Sequence, residues 1–287
     1  MRLSSLLFIG LIPLYSLSQP LLMEHLLHEH PYDTLDRYSY LIISLDRNAK
    51  KGDVATGFFY KTPDKLYLVS AYHLFSGFNV LTRSFSDVRP DSLVVWYWDK
   101  SDSLKTARLP LRKHNRKKRP RILRLSDVDM MDVTSYFGKG QVNSIEDMVG
   151  TDRSFNQVVT DDTVVAYGFP HVSQSTIDSL NKGLMVSPKG YICKAVDTPK
   201  DQRTGRNWDL PSVYRYIHPP LQKGVSGAPV FRVKKDNADR KTVEFMGIQS
   251  FSSTDSTNSM IVNESEMIKL LGYLNRKRST LNTLRIR

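Results

Sequence analysis

The chain reads as an all-β protein, on three observations. Short runs rich in β-branched and aromatic residues recur between turn signals: Tyr40-Leu41-Ile42-Ile43-Ser44, Ser92-Leu93-Val94-Val95-Trp96-Tyr97-Trp98, Thr163-Val164-Val165-Ala166 and Thr242-Val243-Glu244-Phe245-Met246, as a strand-built fold requires. Two further runs, Thr56-Gly57-Phe58-Phe59-Tyr60 and Leu66-Tyr67-Leu68-Val69-Ser70, flank the turn-forming Thr62-Pro63-Asp64-Lys65 and predict a hairpin that delivers His73 at its end. Last, Gly224-Val225-Ser226-Gly227-Ala228-Pro229-Val230 sets one serine between glycines, in a tight turn ahead of an apolar strand.

Taken from the start, residues 1–18 predict a signal peptide. Arg2 precedes the apolar run Leu6 to Leu14, and Ser16-Leu17-Ser18 offers small residues at the positions signal peptidase checks, so cleavage is expected after Ser18. That run is short and holds Pro13, and no later segment reaches about 20 apolar residues. A secreted or periplasmic protein without a stable membrane anchor is expected. Residues 19–36 form a polar leader in which Glu24, His25, His28 and His30 cluster, but not at a zinc spacing, and no metal or cofactor is expected.

Composition narrows the classes. With 287 residues, 40% of them hydrophobic, the chain can bury a sizeable core over one or two domains. Its single cysteine, Cys193, excludes an intramolecular disulfide framework, so stability must come from that core. The net charge of +12 is partly local: eight of the thirteen residues 112–124 are Arg or Lys, and Arg276-Lys277-Arg278 opens a basic tail over 276–287. No nucleic-acid fold signature accompanies these runs, so they read as solvated surface and no nucleic-acid partner is expected. The clearest helix is late, where Asn263 and Glu266 make a capping box and Met267, Leu270, Leu271 and Leu274 share one face that packs on the strands.

The serine turn and the histidine after the hairpin carry the chemistry. A serine hydroxyl is a weak nucleophile until a base takes its proton, and the oxyanion its attack creates needs N–H donors aimed at one point. Leu68-Val69-Ser70-Ala71-Tyr72-His73 resembles the histidine motif of chymotrypsin-fold serine peptidases, and Gly224-Val225-Ser226-Gly227-Ala228-Pro229 resembles their serine motif, in that family's order. Met246-Gly247-Ile248-Gln249-Ser250-Phe251-Ser252 is similar to the strand that follows the serine and lines the cleft, and Val165-Ala166-Tyr167-Gly168-Phe169-Pro170 to an early turn of the second barrel in bacterial members. The likeness spans most of residues 50–275. It implies two six-stranded antiparallel β-barrels, a first over 37–150 with the histidine and an aspartate and a second over 151–275 with the serine and the C-terminal helix, and an active site between them.

The family order places the acid between His73 and Ser226, where Asp127 and Asp129 compete. Read from Asp127, the residues Val128, Asp129, Met130, Met131, Asp132 and Val133 fit the family's alternation of polarity. Read from Asp129, Asp132 would fall on an apolar core position, which costs several kcal/mol for an unpaired charge. Asp127 is favoured and Asp129 stays open. The 54-residue separation of His73 and Asp127 accommodates the basic insertion just before the acid.

What the resemblance implies is a serine endopeptidase acting on protein or peptide substrates: His73 as base and then acid, Asp127 orienting it, Ser226 attacking, and the Gly224 and Ser226 N–H groups binding the oxyanion. Pro220, Gln249, Ser250, Phe251 and Ser252 are the implied substrate-binding residues. Pro220 falls where some relatives carry a charged determinant and Gln249 where glutamate-cleaving relatives carry a histidine, which implies a neutral pocket. The chain departs from the pattern at Tyr72, Val225 and Ala228. Inactive relatives share the fold, so the rival reading is a catalytically silent protein that binds a partner through its basic surface. Oligomeric state is not legible.

Overall fold

The computed structural model describes residues 33–47, 52–87, 89–99, 101, 103–111, 126–137, 140–149, 160–183, 186–197, 213–235, 241–252 and 257–285. The signal peptide, the histidine cluster of the leader and the basic run 112–124 lie outside them. Everything below belongs to one compact unit, Leu35–Arg287.

The first lobe is a six-stranded sheet. Its strands are β1 (Tyr40–Leu45), β2 (Gly52–Lys61), β3 (Leu66–Ser70), β6 (Ser92–Trp98), β7 (Leu104–Pro110) and β8 (Asp129–Asp132), ordered β7-β6-β1-β2-β3-β8. A small hairpin of β4 (Phe78–Asn79) and β5 (Ser84–Phe85) sits between β3 and β6 in sequence. The second lobe is a closed barrel of β9 (Thr163–Gly168), β10 (Lys189–Val196), β11 (Tyr214–His218), β12 (Pro229–Lys235), β13 (Lys241–Ser252) and β14 (Ser259–Asn263), ordered β10-β11-β14-β13-β12-β9. Every sheet pairing is antiparallel.

The lobes repeat one topology. Matching β1, β2, β3, β6, β7 and β8 to β9, β10, β11, β12, β13 and β14 carries every pairing of the first sheet onto a pairing of the barrel. Only the barrel adds the closing pair, β13 with β14; its counterpart, β7 with β8, is not paired among the described residues. This repeat is invisible in the residues, because a strand pairing needs alternating burial and backbone registry rather than any particular side chain.

Each lobe has its own core. Alternate residues of the first sheet, among them Ile42, Phe59, Leu68, Leu93, Val95, Leu109 and Met131, meet in one buried cluster. Val164, Ala166, Cys193, Ile217, Val230, Met246 and Ile261 fill the barrel. A third cluster joins the lobes: Leu41, Ile43 and Trp96 of the first lobe pack against Phe169 and Leu180 of the second, and Phe58 meets Phe245 edge-on at 5.5 Å. Burying each such side chain stabilises the packed state by about 1.5–3 kcal/mol.

Among the described residues are the α-helices α1 (Tyr72–Ser76), α2 (Glu146–Val149), α3 (Gln174–Asn181) and α4 (Glu264–Arg285), and the last is the helix expected late in the chain. Met267 and Leu270 are buried and Leu271 and Leu274 half-buried. It touches β13 and β14 of the barrel, as expected, but also β8 of the first lobe, and so straps the lobes together. Its backbone continues to Arg285, through the stretch read as a basic tail. No helix among the described residues is long and apolar enough to cross a membrane.

Candidate active site

His73 comes from a one-turn helix rather than from the end of a strand. β3 stops at Ser70, Ala71 stays extended, and α1 winds from Tyr72 until the Gly77 N–H closes on the His73 carbonyl at 2.7 Å. Leu74 and Phe75, both buried in the first core, hold the turn down. The periodicity of the sequence misses this turn because five residues are too few to display it.

Asp127 lies two residues before β8 and is buried. Its Oδ1 accepts the His73 backbone N–H at 2.9 Å, and its Oδ2 stands 2.8 Å from His73 Nδ1. Across the lobes, Ser250 Oγ donates to the same Oδ2 at 2.8 Å. An ionised carboxylate only accepts, so the pair fixes His73 in the tautomer with the proton on Nδ1 and a lone pair on Nε2. Asp129, the other candidate, opens β8 opposite Ser70 and accepts the Met130 N–H at 2.9 Å. The structure therefore brings Asp127 to His73. Asp132, whose placement weighed against the other register, is half-exposed and paired with Lys65 at 3.0 Å.

Burial lowers the pKa of the His73 imidazole, but the Asp127 charge and hydrogen bond, with a contribution from Asp53, outweigh it, and the pKa stands above the ordinary histidine value. With 23% of its side chain exposed, the residue still reaches the surface. Phe251 stacks on it, with ring centroids 5.0 Å apart and planes at 29°.

Ser226 is half-buried in the turn that enters β12. Its hydroxyl donates to the Ser250 carbonyl at 3.0 Å and not to His73. The turn is pinned from both sides: Val225 N–H to Gln222 O, Ala228 N–H to Val225 O, and Gly227 N–H to Gln249 O. The Gly224 and Ser226 N–H groups between them take no acceptor among the described residues. Two positive-φ glycines shape it, Gly224 at 96° and Gly227 at 85°. A Cβ on Gly227 would fall 2.1 Å from both Thr56 O and Ser70 Oγ, a position no side chain could share.

Those contacts expose a residue that sequence reasoning passed over. Thr56, fully buried in β2, accepts the Phe169 N–H on Oγ1 at 3.0 Å and donates from it to Gly224 O at 3.0 Å, while its backbone N–H bonds Ser226 O at 2.8 Å. It thus bolts the serine turn to the first lobe. Its one legible sign is a polar residue inside the apolar run Ala55 to Phe59.

The other expected residues scatter differently. Gln249 is buried, its backbone clamps Gly227 and Ala228, and its Oε1 has no partner among the described residues. Pro220 is half-buried beyond β11, next to Leu221, whose N–H bonds Ser259 Oγ at 2.8 Å. The backbone of Ser252 pairs with Ser259; its side chain lies outside the described ones.

No family model and no curated protein matches the chain. Among solved structures it is similar to Deg5 (13% identity, 88% of this chain and 95% of that one, TM-score 0.49). It is also similar to the active form of the Rv3671c protease from M. tuberculosis (14%, 86% and 85%, TM-score 0.48) and to the scabies mite inactivated protease paralogue S-I1 (10%, 85% and 96%, TM-score 0.48). The strand order, repeated in the two lobes with the serine turn seated between them, agrees with the double-lobed all-β architecture that the sequence resemblance implies.

Proposed function

We propose that the chain is an exported serine endopeptidase that cuts protein or peptide substrates through His73, Asp127 and Ser226. The observation that carries this is the histidine–carboxylate pair of the first lobe, completed by a hydroxyl donor from the second. In this reading Ser226 Oγ turns from the Ser250 carbonyl to His73 Nε2 as substrate binds, gives up its proton there, and attacks the scissile carbonyl. The imidazolium, held by Asp127, returns the proton to the leaving amine, and water repeats the sequence on the acyl-enzyme. The N–H groups of Gly224 and Ser226, without an acceptor among the described residues, are the donors for the oxyanion, each such donor being worth about 2.7–4 kcal/mol in comparable enzymes.

One observation favours the second reading, a catalytically silent binding protein of the same fold: the Ser226 hydroxyl bonds to Ser250 O. A fluorophosphonate probe separates the two. Labelling of the wild type and loss of labelling in Ser226→Ala supports the peptidase, whereas an unlabelled wild type refutes it.

A further inference from the structure

One dipeptide of β13 reaches all three proposed catalytic residues. Ser250 Oγ donates to Asp127, Ser250 O accepts from Ser226, and the neighbouring Phe251 ring lies on His73. The first two contacts fix a carboxylate and a hydroxyl by hydrogen bonds; the third acts on the face of the imidazole.

We propose that Phe251 is a positioning residue for His73, setting the plane of its ring and favouring the charged form it must pass through. The inference rests on the reading of His73 as the base. A single hydrogen bond from Nδ1 to Asp127 aims one corner of the imidazole but leaves the ring free to rock about that bond. Stacking at 5.0 Å and 29° removes the rocking and directs Nε2. The aromatic face carries negative charge density, so a ring laid on it is held more strongly as imidazolium than as imidazole. Phe251 is only half-buried and is not part of the buried core, so core packing does not account for its place. The charged groups acting on His73 among the described residues are Asp127, beside β8, and Asp53 on β2; both are anionic and favour the same charged form.

The test replaces the ring while keeping its bulk. In Phe251→Leu, kcat should fall about fivefold with KM nearly unchanged, and the acidic midpoint of the kcat/KM pH profile should move down by about half a unit, the size of one partly exposed cation–aromatic contact. Phe251→Tyr should restore both. Phe251→Met serves as the non-aromatic variant if the leucine protein does not fold. A rise in KM alone would make the ring a substrate wall and overturn the proposal, as would equal effects of the Leu and Tyr replacements. NMR titration of His73 in the wild type and in Phe251→Leu reads the same shift without any activity. Unchanged midpoints there overturn this proposal alone, whereas an unlabelled wild type in the probe experiment overturns the peptidase reading instead.

Discussion

Ser250 Oγ of the second lobe donates to Asp127 Oδ2 of the first at 2.8 Å, and Asp127 is fully buried. The carboxylate that orients His73 is thus held partly by the other lobe, so lobe docking and histidine geometry are one event.

Ser250→Ala tests that link. It removes one donor to a buried anion, a contact worth about 1.5–3 kcal/mol, and should lower kcat/KM about tenfold or more. Stability in urea should fall with it. A variant as stable and as fast as wild type would place the carboxylate's support elsewhere.

Asp127 and Asp129 should behave oppositely. Asp127→Asn leaves the shape but frees the imidazole to adopt the wrong tautomer, and kcat should fall by about four orders of magnitude. Asp129→Asn, on a half-exposed residue, should stay within about twofold of wild type. Steady-state rates on one peptide substrate decide it.

The raised pKa of His73 fixes two pH dependences. Burial pulls the pKa down, and Asp127 with Asp53 pushes it further up. In the peptidase reading neutral His73 is the base, so kcat/KM should climb with pH through a midpoint above about 6.5. A group raised on folding contributes stability that is fully present below its unfolded value and is lost as pH rises through its native value. Denaturation midpoints of the wild type should therefore lose this contribution above about pH 6.5. Replacing His73 by Gln should remove that part of the slope.

Thr56→Val keeps the shape of the bolt and removes its hydroxyl. The Phe169 N–H and the Gly224 carbonyl each lose a buried partner, at about 1–3 kcal/mol for each group left unsatisfied. Melting temperature and probe labelling at Ser226 should both drop.

Gly227→Ala should be worse than an ordinary helix or loop substitution. The positive φ and the 2.1 Å approach to the Thr56 carbonyl leave the methyl group nowhere to go. The loss should exceed about 1 kcal/mol and displace the serine turn, seen as lost labelling before any loss of folded protein.

The residues made much of this legible. Runs rich in β-branched and aromatic residues in β1 and β3 announced strands, and Thr62-Pro63-Asp64-Lys65 announced its hairpin, because strand propensity and turn chemistry are local properties. The polarity register pointed to Asp127 over Asp129, and the contact to His73 follows it. Thr56, the helical turn carrying His73, and Phe251 on the imidazole were not legible as such: each depends on partners that are dozens of residues away or on a turn too short to show a period.

By itself, then, the sequence determined an all-β chain and its turns, and singled out a serine, a histidine and two competing aspartates as candidates. Tertiary structure alone decided that two lobes repeat one topology, that Thr56 and Ser250 join them, and that the Ser226 hydroxyl rests on Ser250. The physical reason is range: strand-favouring runs and glycine turns act over a few residues, whereas hydrogen bonds between lobes exist only once both cores have formed.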